Sequence, residues 1–250
     1  MKKILNFFLF ILLLLPEFAA HAQEKDDSIK NFKNVVRLNI TNPMLFGEKN
    51  FIIGYERVLK NHQTISANVG LISFPKWKEF NNDSVALSSS YKDRGFGAAI
   101  DYRFYLKKEN KYVAPRGVYI GPYYTFNYFN RVNTWTLNTS TDPKKLETDI
   151  SMTLNLVGFQ LGYQFVLWNR MTIDLVLLGP GRWFYTTKLE ISTNLTNEEE
   201  ELLFQEINDA IDAKLPGNSI EFRPFELRKK GSVSSSFSGF RYVAHIGFRF

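Results

Sequence analysis

Apolar and polar residues alternate along most of this chain from Asn34 onward, with a repeat of two residues. That repeat is typical of β-strands that have one apolar and one polar face. In the last segment, for example, Phe240 and Tyr242 alternate with Arg241 and Val243. The predicted strands cover 34–42, 50–59, 63–74, 94–106, 117–136, 151–168, a segment from 171 that Gly179-Pro180-Gly181 interrupts, and 239–250. The pattern therefore predicts an all-β chain with eight strands.

The connections between these strands are short on one side and long on the other. The joins after the second, fourth and sixth strands are mostly short, whereas those after the third, fifth and seventh cover 75–93, 137–150 and 190–238. Outer-membrane barrels have short periplasmic turns and longer extracellular loops. The lengths therefore favour a transmembrane, antiparallel, up-and-down β-barrel over 34–250. The first join, Pro43 to Lys49, is short on the side where long loops are expected.

The polar face combines opposite charges with Gly, Gln and Asn, which fits a narrow, filled interior better than a solvent-exposed surface. An eight-stranded barrel is only wide enough for side chains to fill its lumen, and buried charges need partners. We therefore predict an interior charge network that acts as a structural plug, with a selective pore as the alternative. The predicted members are Arg37, Glu56, Asp101, Arg103, Asp174, Arg241, His245 and Arg249.

The last long loop contains a predicted helix at about 197–214. Thr196 and Asn197 precede Glu198 to Glu201, which suits a helix N-terminus, and Pro216-Gly217 ends the apolar repeat. The helix is interpreted as packing on its own barrel, as a lid, or as an element that binds a partner.

The first 22 residues are interpreted as a signal peptide. Lys2 and Lys3 precede an apolar run of about a dozen residues, which is too short to span a bilayer as a helix, and Ala20-His21-Ala22 supplies a cleavage pattern. An uncleaved N-terminal anchor is the alternative. After cleavage, 23–33 would form a periplasmic segment. The predicted location is the outer membrane of a Gram-negative bacterium.

Composition narrows the chemistry further. The chain has no Cys and only three His, one of them in the predicted signal peptide, so no usual zinc site is expected. The net charge of +6 comes from scattered basic residues without a nucleic-acid motif. We expect no cofactor and no nucleic-acid partner. The four tryptophans, Trp77, Trp135, Trp168 and Trp183, lie near predicted strand ends, where they suit aromatic girdles.

Three motifs carry a resemblance to a known group. The segments Val-Val-Arg-Leu-Asn-Ile-Thr-Asn-Pro (35–43) and Ile-Gly-Tyr-Glu-Arg-Val-Leu (53–59), followed by Gly121-Pro122-Tyr123, are similar to the uncharacterised barrel family called domain of unknown function 3575. The final strand, with Phe248 and the terminal Phe250, resembles the C-terminal signal that the barrel-insertion machinery recognises in small outer-membrane barrels of Bacteroidetes-type bacteria. The resemblance implies outer-membrane lipid and that machinery as partners, and it implies no activity.

Three functions remain open from the sequence. The first is a non-catalytic structural or interaction role in the envelope, with an envelope or extracellular protein bound through loops 75–93, 137–150 and 190–238. The second is a lipid-modifying outer-membrane enzyme using His245, although no Gly-x-Ser-x-Gly motif accompanies that residue. The third is a secreted soluble barrel that binds a hydrophobic ligand in an apolar lumen.

Overall fold

The computed structural model describes residues 32–73, 85–110, 112–138, 143–191 and 230–250, together with 196, 201 and 205. These ranges contain eight strands and one short helix. The elements are β1 (Asn34–Asn39), α1 (Thr41–Phe46), β2 (Phe51–Lys60), β3 (Gln63–Leu71), β4 (Val85–Tyr105), β5 (Gly117–Asn138), β6 (Pro143–Leu167), β7 (Met171–Ile191) and β8 (Lys230–Arg249). Among the described residues, no helix is long and apolar enough to cross a membrane.

The strands form one closed ring. Each strand pairs antiparallel with the next in sequence, and β1 pairs with β8 from Val35↔Arg249 to Asn39↔His245. This closure confirms the predicted all-β, up-and-down barrel of eight strands.

The strands differ greatly in length. β1 to β3 contain 6, 10 and 9 residues, whereas β4 to β8 contain 20 to 25. The pairing of β3 with β4 ends at Leu71↔Phe96, and the pairing of β1 with β8 ends at Asn39↔His245. Five strands therefore continue as a sheet beyond the closed ring, on the side away from the short turns.

This extension corrects the predicted loops. β4 begins within 75–93, β5 and β6 occupy all of 137–150 except 139–142, and β8 begins within 190–238. The extended segments are rich in Ser, Thr and charged residues, so they lack the apolar alternation that indicates a strand in sequence. Their backbones nevertheless pair as strands.

The start of the chain also differs from prediction. β1 ends at Asn39, three residues earlier than expected, and α1 occupies part of the predicted Pro43 to Lys49 join. Asn39 Oδ1 accepts a hydrogen bond from the Asn42 backbone N–H at 3.0 Å, which satisfies a donor at the helix start. Pro43 is tolerated there because the first turn of a helix leaves its N–H groups unpaired.

Three predicted segments fall largely outside the described residues. These are the signal peptide 1–22, the segment 23–33 apart from Phe32 and Lys33, and the helix 197–214. Within the predicted helix only Glu201 and Gln205 are described, and both have helical conformation.

The two faces of the ring have opposite character. Arg37, Glu56, Asp101, Arg103 and Asp174 are buried inside it. Large apolar side chains point outward and are exposed on every strand. They include Val36, Leu38, Phe51, Ile53, Val69, Leu71, Phe96, Ile100, Phe104, Ile120, Val157, Phe159, Leu177, Phe184, Phe240 and Ile246.

A β-bulge in β7 changes which side chains face inward. The pairing with β8 shifts between Val176 and Gly179, and both Leu177 and Leu178 are exposed. Beyond the bulge, Trp183 stacks on Phe237 with ring centroids 5.8 Å apart. This pair lies on the inward-facing side of the sheet, where Gly239 also lies. The prediction that Trp183 belongs to an outer girdle is therefore wrong, because the bulge reverses the alternation.

The other tryptophans have different outcomes. Trp168 lies in the β6–β7 turn with 82% of its surface exposed, which agrees with a position at one end of the barrel. Trp77 and the side chain of Trp135 lie outside the described residues.

Candidate functional site in the barrel interior

The interior site is a cluster of five charged side chains and one histidine from five strands. Arg37 lies on β1, Glu56 on β2, Asp101 and Arg103 on β4, Asp174 on β7 and His245 on β8. Asp101 and Arg103 are two residues apart on one strand, so both point inward, and Arg103 Nε donates to Asp101 Oδ1 at 2.5 Å. Each of these six residues is at most 2% exposed.

Two arginines are each shared among the same three carboxylates. Arg37 lies 3.1 Å from Asp174, 3.4 Å from Asp101 and 3.7 Å from Glu56. Arg103 lies 2.5 Å from Asp101, 2.9 Å from Asp174 and 3.5 Å from Glu56. The cluster therefore connects β1, β2, β4 and β7 across the lumen.

Neutral side chains complete the hydrogen bonding of the carboxylates. Glu56 accepts from Thr64 Oγ1 at 2.7 Å and from Gln164 Nε2 at 3.1 Å. Asp174 accepts from Tyr119 Oη at 2.7 Å, and Asp101 accepts from Gln160 Nε2 at 3.1 Å. These contacts reduce the cost of burying charge, since a buried carboxylate needs partners for its remaining lone pairs.

Several of these neutral partners were absent from the predicted site. They occupy the same inward positions as the predicted charges, so the two-residue repeat was the signal that identified their face. The additional members are Thr64, Ser66, Asn68, Tyr105, Tyr119, Gln160 and Gln164.

His245 is at the edge of the cluster. Its Nδ1 atom is 3.2 Å from Asp174 Oδ2 but is poorly aligned for a hydrogen bond, and its Nε2 atom has no hydrogen-bond partner among the described residues. Among the described residues, no hydrogen bond aligns His245 with an acid or with a nucleophile, as nucleophilic catalysis requires.

The two remaining predicted members are not brought into the cluster. Arg249 is buried near the turn end and donates to the backbone oxygen of Phe32 at 3.3 Å. Arg241 lies over the ring of Tyr123, with 4.8 Å between its Cζ atom and the ring centroid. Among the described side chains, the ion pairs of the three carboxylates are with Arg37, Arg103 and His245, and neither Arg241 nor Arg249 is part of them.

The described residues do not form a metal site, since no group of three or more His, Asp or Glu among them has a suitable arrangement. The carboxylates are instead turned toward guanidinium groups. The arrangement can neutralise charge and hold strands together, which is the chemistry of a filled lumen.

The predicted insertion residues lie at the end of β8. Phe248 and Phe250 are exposed, and Phe248 is paired with Val36 on β1 and with Met171 on β7. Both therefore lie on the outer surface at the seam where the barrel closes.

Comparison with protein-family models finds no match to the chain, and comparison with curated proteins finds none either. Among solved structures, the chain is similar to a major outer membrane protein from Thermus thermophilus, with 9% identity and a TM-score of 0.33. The match covers 88% of this chain and 100% of that one. The chain also matches the translocator domain of the autotransporter NalP from Neisseria meningitidis with 9% identity and a TM-score of 0.36, covering 98% of each chain. The barrel assignment rests on the closed strand pairing described above.

Proposed function

We propose that this chain is an outer-membrane β-barrel with a structural or interaction role in the cell envelope. The observation that carries the proposal is the inverted arrangement of its faces. Charged side chains are buried in the lumen, while Phe, Ile, Leu and Tyr side chains cover the outside. Such a surface suits hydrocarbon, and within the closed ring each strand is paired on both sides, as strands in contact with lipid require.

The height of the apolar surface supports the same conclusion. On β8 the exposed apolar positions run from Phe240 to Phe250. Ten steps of ~3.3 Å at a tilt of ~40° give a height of about 25 Å, which is the apolar band expected of these barrels. Beyond Phe240 the outward positions of β8 become Ser238, Ser236, Ser234 and Ser232, so the apolar surface of this strand ends there.

The two alternative functions have less support. A soluble barrel with an apolar ligand would need an apolar lumen, whereas Arg37, Arg103 and their carboxylates fill this one. A lipid-modifying enzyme would need its histidine near lipid, whereas His245 is 1% exposed inside the barrel. The cluster favours a plugged lumen without catalysis.

The first experiment tests membrane placement. The protein from cell membranes is run in SDS gels with and without boiling, and membranes are washed with alkaline carbonate. We expect a heat-dependent change in mobility and retention in the outer-membrane fraction. Recovery in the soluble fraction without a mobility change would contradict the proposal.

A second experiment tests the absence of catalysis. The variant His245→Gln is expressed and its heat-dependent mobility is measured to establish that the barrel forms. We expect lipid A from cells with the variant to match lipid A from cells with the parent protein. A change in lipid A structure with an intact barrel would support the enzyme instead.

A further inference from the structure

The fold gathers scattered basic residues at one end of the barrel. The start of β1, the β2–β3 turn, the β4–β5 turn and the β6–β7 turn all lie at this end, and each carries at least one Lys or Arg. We call this set the turn-end basic ring. Its members are Lys33, Arg57, Lys60, Lys107, Lys108, Arg116 and Arg170, and all except the half-buried Arg116 are exposed.

Acidic residues are scarce at the same end. In the described residues of these connections, Glu109 is the one acidic side chain that is exposed to solvent. The opposite end differs, since acidic and basic side chains are mixed there. Its described charged residues include Glu48, Lys49, Asp93, Arg94, Lys145, Glu147, Asp149, Arg182, Lys188 and Glu190. Among the described residues, the excess of basic over acidic side chains is therefore specific to the turn end.

Aromatic contacts hold these cations at the margin of the apolar band. The Arg170 Cζ atom lies 4.8 Å from the ring centroid of Phe32 and 5.6 Å from that of Phe248. The Arg116 Cζ atom lies 3.9 Å from the ring centroid of Tyr112. Guanidinium groups gain from such contacts, and aromatic residues of membrane proteins concentrate at headgroup depth.

A second set of contacts, around β2, places basic residues at the same margin of the apolar band. Arg57 and the hydroxyl of the outward-facing Tyr55 both donate to Asn34 Oδ1. On β4, Tyr102 Oη donates to Gln63 Oε1 of the adjacent β3 at 2.9 Å. The phenol hydroxyls thus mark the polar boundary of the band, and the basic residues lie immediately beyond it.

We propose that the turn-end basic ring binds the phosphate groups of anionic phospholipids in the leaflet around the short turns. This rests on the proposed membrane placement. Guanidinium groups bind phosphate oxygens through paired N–H donors, and lysine ammonium groups add point charges on flexible stems. A negative membrane surface attracts basic residues that lie next to it, and the attraction weakens with salt.

Trp168 provides a reporter at the correct end because it is exposed in the β6–β7 turn. The test protein carries Trp77→Phe, Trp135→Phe and Trp183→Phe, so its fluorescence comes from Trp168. It is refolded in vesicles of phosphatidylcholine mixed with a minor fraction of phosphatidylglycerol. Either lipid carries a brominated chain, and bromine quenches the indole at short range.

We expect brominated phosphatidylglycerol to quench Trp168 several-fold more strongly than its mole fraction predicts, and high salt to remove the excess. The ring variant Lys60→Gln/Lys107→Gln/Lys108→Gln/Arg170→Gln should lose the excess. The matched control Lys49→Gln/Lys145→Gln/Arg182→Gln/Lys188→Gln removes the same charge at the opposite end and should keep it.

Each other outcome has a distinct meaning. Equal quenching by the two lipids in a folded barrel, or an unchanged excess in the ring variant, would overturn the lipid site alone. If neither brominated lipid quenched Trp168 and the protein showed no heat-dependent mobility change, the membrane placement would be overturned as well. If inorganic phosphate removed the excess more effectively than chloride at equal ionic strength, the ring would be a site for soluble phosphate.

Discussion

Arg37 and Asp174 lie on strands that are separated by β8, yet their Nη1 and Oδ2 atoms are 3.1 Å apart. They are 137 positions apart in sequence. The contact passes through the lumen, because both side chains point inward from β1 and β7. The closing strand β8 is thereby covered from inside by charges that belong to its two neighbours.

This pair should show strong energetic coupling. Arg37→Gln, Asp174→Asn and the double variant are compared by urea unfolding in lipid vesicles. We expect the free energies of unfolding to deviate from additivity by ~0.5–3 kcal/mol, since contacting residues in one network couple. As a control, Arg57→Gln is combined with Asp174→Asn, and their effects should add. Additivity in the first pair would contradict the described network.

Substitution of Arg103 should lower the free energy of unfolding more than substitution of an exposed arginine. Arg103→Met leaves Glu56, Asp101 and Asp174 with Arg37 as their one shared guanidinium among the described contacts. Because uncompensated buried charge is costly, we expect a loss of about 3–5 kcal/mol in the free energy of unfolding. The exposed Arg182, whose Nη2 donates to Ser236, supplies the control Arg182→Met, expected within ~0.5 kcal/mol of the parent. Equal effects of the two substitutions would argue against a charge network in the lumen.

Charge on the outer surface should reveal where hydrocarbon begins and ends. Ile100 lies near the middle of the band on β4, whereas Ser234 lies beyond its end on β8. Ile100→Lys should destabilise the barrel in vesicles by ~2–4 kcal/mol, and Ser234→Lys by ~0–1 kcal/mol. The same pair is measured in detergent micelles as a reference. If the two substitutions destabilised the barrel equally in vesicles, Ile100 would not lie in the middle of the apolar band.

Substitution of Gly54 should lower the stability of the barrel, and a second substitution should recover part of the loss. A Cβ atom there would collide with Asn68 Oδ1 and would lie 3.0 Å from Arg37 Cγ. Gly54→Ala is therefore expected to lower the free energy of unfolding, and adding Asn68→Ala should recover part of the loss. Gly121 gives the contrast, because a Cβ there would collide with the backbone oxygen of Tyr102, which no side-chain substitution removes. No recovery in the Gly54 double variant would show that the collision with Asn68 is not the cause.

The two-residue repeat was sufficient to predict which side chains of the closed ring face inward. It placed Arg37, Asp101 and Asp174 on one face, but it gave no relative heights, so the contacts with Gln164 and Tyr119 required the strand register. The same limitation explains why Arg241 and Arg249 were included in the cluster although they lie at its margins. A face can be predicted from a repeat, whereas a contact depends on pairing between strands.

The extended halves of β4 to β8 illustrate a different limit. Segments such as Ser234 to Ser236 carry no apolar repeat because neither face needs hydrocarbon contact beyond the band. The interruption of the repeat at Gly179-Pro180-Gly181 was interpreted as a bend or bulge, and the structure has a bulge between Val176 and Gly179. The reversed alternation beyond it was not predicted, since an inserted residue does not change the composition. In both places backbone pairing, which the side-chain pattern does not encode, decides the structure.

The way in which the cluster is assembled has a consequence for folding. Arg37 comes from the first strand, Asp174 from the seventh and His245 from the eighth, so a chain that lacks its last two strands cannot complete the cluster. Until β8 joins β1, the arginines face an open lumen with fewer carboxylates in reach. Closure of the ring therefore brings the Asp174 carboxylate to Arg37, and we expect ring closure and completion of the cluster to occur together.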